Sequence, residues 1–332
     1  MGRSLMRRKI SDVGEGHVTD EGVTAEKLAV DRACAEGGNM AEYALVVNGV
    51  SRFFGDAEAV KNTSLAVRPG ECLGLLGVNG SGKTTLLNVM AGIVPPSRGE
   101  CYSKEGSILG GAQKWQSDIG LCLQSGGIPE SMSARRFLRL LGRLRGVSER
   151  QVDEVAESLL TLFDMKKRQD EPCYTYVHAD KRKLSIAAAL LTMPRIVLLD
   201  EPYAGIDIAT KELIAHVLKR VTSIAMVSVV LATTSMDDCE MACDRVAILS
   251  KGEITSVGTV PELKAKLAKG HTIQFVLHRV SGVDAEVFKN CIDVVFPDLK
   301  LRDVRQVLIS QYCRPDSPKQ KLDIMQKYKK AS

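Results

Sequence analysis

Gly77-Val78-Asn79-Gly80-Ser81-Gly82-Lys83-Thr84-Thr85 fits the pattern G-x-x-x-x-G-K-[S/T], and its reading decides the fold. Glycines at these spacings let backbone N–H groups close around phosphate oxygens, Lys83 reaches the β- and γ-phosphates, and the Thr84 hydroxyl ligates a metal. The apolar run 73–76 before the loop and Leu86-Leu87-Asn88-Val89-Met90 after it supply the strand and the helix that such a loop joins. The N-terminus of that helix adds its own attraction for anions. A chain of this length matches the pattern by accident roughly once in a hundred tries. Much later, Ile196-Val197-Leu198-Leu199-Asp200-Glu201 is an apolar run ending in two carboxylates. Together the two stretches predict a site for ATP and Mg²⁺.

At 332 residues the chain has room for one α/β domain and an appendage. Its 45% hydrophobic and 26% charged residues are ordinary for a globular protein, and a diffuse net charge of +5 gives no sign of a nucleic-acid partner. Arg7-Arg8-Lys9 is read as a solvated terminal charge run, with contact to an anionic membrane surface as the alternative. No apolar run reaches the roughly 18–20 residues a spanning helix needs, since Pro194-Arg195 interrupts 184–199. The nine cysteines are scattered and never form C-x-x-C, so neither a disulfide framework nor a zinc site is expected.

Along the chain, residues 1–40 are poor in apolar periodicity and read as a disordered linker with a possible short helix at 23–35. From Tyr43 the texture changes: 43–50 and 63–68 alternate as strands do, Pro69-Gly70-Glu71 makes a turn, and 72–76 is a buried strand. Residues 128–185 carry helical patterning and read as an insert between the two nucleotide motifs. Strand-like runs return at 196–199 and 227–231, closing a main domain expected over 41–270. The last section, 271–332, opens on alternating Ile273, Phe275 and Leu277 and reads as a small α/β subdomain with a polar tail.

Gly70-Glu71-Cys72-Leu73-Gly74-Leu75-Leu76 leading into the phosphate loop, Lys181-Arg182-Lys183-Leu184-Ser185, Leu199-Asp200-Glu201-Pro202 and Ser235-Met236-Asp237-Asp238-Cys239-Glu240 follow one another in order. In these residues the chain resembles the nucleotide-binding domain of ATP-binding cassette transporters, most closely the lipid-transporting subfamily A. The likeness covers about 41–332, and the piece from His271 to Pro315 looks like the regulatory subdomain after that subfamily's second cassette. The resemblance implies a P-loop cassette with an antiparallel β edge, a helical insert and a C-terminal α/β regulatory subdomain. It implies as partners a second cassette and a transporter's transmembrane domains, with the chain on the cytoplasmic face of a membrane.

The same resemblance assigns residues to tasks. Phe54 stands where an aromatic ring stacks on adenine, and Gly77 to Thr85 hold the phosphates. Gln124 falls at the loop where a side-chain oxygen meets Mg²⁺ and senses the γ-phosphate. Thr84 and Asp200 hold Mg²⁺, Asp200 through water, and Glu201 is the candidate general base for the attacking water. Asp207 matches a loop that communicates across a cassette dimer, though an acidic helix cap explains it nearly as well.

Two departures bear on turnover. Where the family presents Ser-Gly-Gly to the partner's nucleotide, this chain has Tyr176-Val177-His178-Ala179-Asp180. Side chains there obstruct the close approach that bare N–H groups allow, and Asp180 is expected to add a repelling charge. His178 reads as a loop histidine rather than a phosphate ligand. Where the family has a histidine before Ser235-Met236, this chain has Thr234, which cannot carry positive charge. Two function classes follow: an ATPase domain driving a transporter, favoured by Lys83, Thr84, Gln124, Asp200 and Glu201, and a silent ATP-binding module, favoured by Val177 to Asp180 and Thr234. A soluble cassette acting in translation or DNA repair is disfavoured by the single cassette. No Asn-Lys-x-Asp motif is present to read guanine, so ATP is expected over GTP.

Overall fold

The computed structural model describes residues 20–35, 42–104, 106–125, 127–267, 271–276, 300–305 and 308–313. The basic cluster at Arg7-Arg8-Lys9 and the polar tail lie outside them. The chain forms two compact units, Met1–Val260 and Pro261–Ser332.

Two sheets build the first unit. β1 (Leu45–Phe54) and β2 (Ala57–Val67) form an antiparallel hairpin, and β4 (Arg98–Ser103) with the short β5 (Gly106–Ser107) extends it in the order β2-β1-β4-β5. The second sheet runs β10-β9-β3-β8-β7-β6, from β3 (Cys72–Leu76), β6 (Ile119–Cys122), β7 (Ile196–Asp200), β8 (Ser228–Thr233), β9 (Arg245–Ser250) and β10 (Glu253–Gly258). Its strands are parallel except for the β9–β10 hairpin at one edge.

The continuous apolar runs of β7 and β8 follow from cover on both faces. Val197, Leu199, Val229 and Leu231 enter one core, and Ile196, Leu198, Val230 and Ala232 enter the other. The first core is completed by the helical insert: α4 (Ala134–Leu144), α5 (Glu149–Leu162) and α6 (His178–Leu190) contribute Phe137, Leu138, Leu159, Leu160 and Leu184. α7 (Ile208–Ala225) adds Ile214 and Leu218. The second core lies against the antiparallel sheet and α2 (Lys83–Met90), through Leu45, Val47, Leu65, Leu86 and Met90. Burying each such side chain contributes about 1.5–3 kcal/mol. The short α3 (Ala112–Ser117) and α8 (Met236–Ala242) flank the parallel sheet. No helix among the described residues is long and apolar enough to cross a membrane.

The segment expected as a linker contains α1 (Glu21–Cys34), and this helix is packed rather than loose. Asp20 caps it by accepting from Gly22 N at 2.8 Å, and Val30 and Ala33 are buried with Val46 and Ala66. Its buried Glu26 accepts from Ala66 N at 2.7 Å and from Arg245 Nη1 at 2.8 Å, and Arg245 also pairs with Glu71 just before β3. A glutamate at a core-facing position hides the apolar stripe by which such a helix is recognised. Glu26→Ala leaves the Ala66 N–H unsatisfied and Arg245 with one carboxylate. It is expected to destabilise the cassette by about 2 kcal/mol, read as a lower denaturant midpoint, with Glu26→Gln losing less.

In the second unit the described strands β11 (His271–Val276), β12 (Lys300–Arg305) and β13 (Leu308–Cys313) form an antiparallel sheet in the order β11-β13-β12. The helix α9 (Val260–Leu267) precedes them, starting ten residues before the expected boundary at 270.

Candidate functional site

The C-terminal ends of β3, β7 and β8 meet at one edge of the parallel sheet, where Leu76 pairs with Thr233 and Asp200 with Ala232. Ligands of open α/β sheets bind at this edge. The phosphate loop leaves β3 and turns into α2 through Gly82, at φ +107°. A Cβ on Gly82 would lie 2.4 Å from Ala59 O, so only glycine permits this packing.

Lys83 opens α2 and is only 6% exposed. Its ammonium donates to Gly77 O at 2.8 Å and Val78 O at 3.2 Å and lies 3.8 Å from a Glu201 carboxylate oxygen. The loop is thereby wrapped around a cation. Thr84 Oγ1 donates to Asp200 Oδ2 at 2.8 Å. Asp200 is 2% exposed, and its other oxygen, Oδ1, has no hydrogen-bond partner among the described residues. A buried carboxylate oxygen without a partner costs free energy. A hydroxyl and an acceptor-only oxygen side by side form the hard donor set that suits Mg²⁺.

Glu201 sits at φ +47°, a left-handed conformation uncommon outside glycine, and its N–H donates to Ala232 O at 2.9 Å. Burial pushes its carboxyl above the ordinary glutamate value, while Lys83 and the Thr234 backbone N–H pull the other way. A cleft of about 280 Å³ brings together Ala59, Asn79, Gly80, Gly82, Lys83, Thr84, Thr85, Gln124 and Glu201. Of the other expected site residues, Gly77 and Val78 turn their carbonyls to Lys83, and the buried Ser81 hydroxyl lacks a partner among the described residues. Phe54 lies at the end of β1, outside the residues lining this cleft, with its ring half exposed.

Gln124 is held by a residue that sequence reading did not single out. Arg182, buried on α6, donates to Leu123 O at 2.8 Å and to Gln124 O. It therefore ties the loop after β6 to the helix that begins at His178. The run Lys181-Arg182-Lys183, of which Arg182 and Lys183 are both buried, gave no sign of which cation meets these carbonyls.

The segment Val177 to Asp180 starts α6, with Val177 60% exposed and His178 3.6 Å from where a Cβ on Gly205 would sit. The repulsion expected of Asp180 needs correction. Its carboxylate is paired with Arg168 at 2.7 Å and with Lys183 at 2.8 Å, so its charge is compensated in place. Asp207 caps α7, accepting from Thr210 N at 3.0 Å, and this bond holds its carboxyl below the usual range. Thr234 is exposed beside the site, next to buried Thr233, whose hydroxyl donates to Asp238 at 3.0 Å.

A phosphate loop wrapped on a buried lysine, at the sheet edge that also carries an Asp-Glu pair, defines a P-loop nucleotide-binding domain. The family model described as ABC transporter matches residues 60–204. Rat ATP-binding cassette sub-family A member 7 is 34% identical over 86% of this chain and 13% of its own length. The mouse phospholipid-transporting ATPase ABCA3 is 32% identical over 82% of this chain and 16% of its own. The human glucosylceramide transporter ABCA12 is 32% identical over 88% of this chain and 11% of its own. Among solved structures, an ATP-binding subunit of an ABC transporter superposes with a TM-score of 0.62 at 22% identity, covering 68% of this chain and 93% of that one. A cassette dimer in a post-hydrolysis state bound to ADP and Pi superposes with a TM-score of 0.60 at 23% identity, covering 65% and 98%. The chain belongs to the ATP-binding cassette family, and within it to the subfamily A group of nucleotide-binding domains. It spans between 11% and 16% of the length of the three relatives.

Proposed function

We propose that the chain hydrolyses MgATP to drive a transporter, as the second cassette of a subfamily A assembly with its regulatory subdomain over 271–332. The observation that carries this is the convergence of Lys83, Thr84, Asp200, Gln124 and Glu201 on one cleft edge, with a buried Asp200 oxygen left unpaired. Thr84 and Asp200 would hold the ion, Asp200 through water, with the Gln124 side-chain oxygen as a further ligand. Bound there, Mg²⁺ neutralises charge on the phosphate oxygens. Lys83 and the loop N–H groups fix the β- and γ-phosphates. Glu201 accepts a proton from water as its oxygen bonds to the γ-phosphorus, and the bond to the ADP oxygen breaks.

The names of the relatives, a phospholipid-transporting ATPase and a glucosylceramide transporter, support lipid as the cargo. A second cassette supplies the other face of the nucleotide sandwich, and transmembrane domains at the cytoplasmic face take up the motion. Thr234 and the crowded start of α6 slow turnover without touching the phosphate cradle.

A single-turnover assay with labelled ATP, Mg²⁺ and protein in excess tests the reading. Cleavage by the native chain is expected, and Thr234→His is expected to raise its rate several-fold by adding a cation at the γ-phosphate. ATP held in the site but uncleaved, in the chain alone and with a partner cassette added, would overturn the hydrolytic reading and leave a binding module.

A further inference from the structure

Arg52 is unused by the mechanism above, yet its guanidinium stands over the Phe54 ring. Its guanidinium carbon lies 4.8 Å from the Phe54 ring centroid, within cation–π range. Its Nη1 donates to Pro95 O at 2.9 Å. Pro95 belongs to the segment leaving α2, the helix of the phosphate loop, and Ile93 and Val94 both donate to Asn88 O on that helix. Ser97 closes the same strap, donating from N to Ser51 O at 2.8 Å and accepting from Phe53 N at 3.2 Å. A register shift in the β1–β2 pairing falls between Arg52 and Phe53, where such irregularities re-aim side chains. A covalent and hydrogen-bonded path therefore runs from α2 through Pro95 and Arg52 to a ring that is 50% exposed.

We propose that Arg52 is the positioning residue of the purine subsite: it backs one face of Phe54 and sets that ring's distance from the phosphate loop, leaving the other face to stack on adenine. This rests on the reading of Phe54 as the purine-stacking residue. A cation behind the ring also draws electron density from it, which favours stacking against electron-rich adenine. Removing Arg52 then frees the ring to turn, and only ligands with a base feel the loss.

The test compares affinities of the full chain for MgATP and for magnesium tripolyphosphate, which fills the phosphate loop without a base. Phe54→Leu is expected to weaken MgATP about tenfold and to leave tripolyphosphate unchanged. Arg52→Met, which keeps the hydrocarbon stem, is expected to weaken MgATP about three- to fivefold, again sparing tripolyphosphate. The double variant is expected to be no worse than Phe54→Leu alone, because Arg52 acts through the ring. If Phe54→Leu lowers MgATP affinity selectively but Arg52→Met does not, or if the two losses add, Arg52 has no positioning role although Phe54 still stacks. If Arg52→Met weakens both ligands equally, its role is structural. If Phe54→Leu leaves the ratio of the two affinities unchanged, the purine reading of Phe54 fails and the proposal falls with it.

Discussion

Glu201→Gln is expected to bind MgATP as tightly as the native chain and to cleave it at least about a hundredfold more slowly, the usual contribution of a positioned general base. Glutamine keeps the shape and an acceptor oxygen for the Thr234 N–H, but it cannot take a proton at neutral pH. The position is chosen by the backbone: a left-handed residue directly after β7, with its N–H tied to Ala232 O, aims the side chain back over the phosphate loop. Because burial raises the Glu201 carboxyl above its ordinary value, the base loses its charge earlier than a solvated glutamate as pH falls. The native rate should therefore rise with pH through a limb displaced upward from the usual glutamate range, and Glu201→Gln should lack that limb. Single-turnover rates across pH, with binding measured in parallel, decide it. Undiminished cleavage in the variant would assign the base elsewhere.

How much of this was readable beforehand depends on the range over which each residue acts. The phosphate loop is local: its glycines, Lys83 and Thr84 are contiguous, and a buried strand and a helix follow from apolar runs on either side. Asp200 and Glu201 were legible because carboxylates after an all-apolar strand have no packing reason to be there. The helix Glu21–Cys34 was half legible, since its partners lie far along the chain: Glu26 meets Arg245, 219 residues away. Asp180 shows the same limit from the other side. Its sign is visible in the sequence, but its neutralisation by Arg168 appears only when the loop before α6 folds back. Arg182 was named only as part of a motif, because nothing in a run of three cations tells which one will be buried against the Leu123 and Gln124 carbonyls. Periodicity reports burial, whereas the choice of ionic partner is a property of the closed chain.

Lys83→Ala is expected to weaken MgATP binding about a hundredfold, and the size follows from what the ammonium holds. In the native chain it bonds to two loop carbonyls and pairs with Glu201 at 3.8 Å, at a position only 6% exposed. Charge-assisted hydrogen bonds of this kind are worth roughly 1.5–3 kcal/mol each. Truncation removes the cation and also leaves the Gly77 and Val78 carbonyls, with their negative ends, beside the incoming phosphates. It removes the one attraction that lowers the Glu201 proton affinity most, so in the variant that carboxyl should be neutral over a wider pH range. Magnesium tripolyphosphate should lose affinity as much as MgATP does, because Lys83 acts on the phosphates alone. A variant that bound either ligand normally would place the phosphates away from the loop between β3 and α2, and the assignment of Thr84 and Asp200 to the metal would go with it.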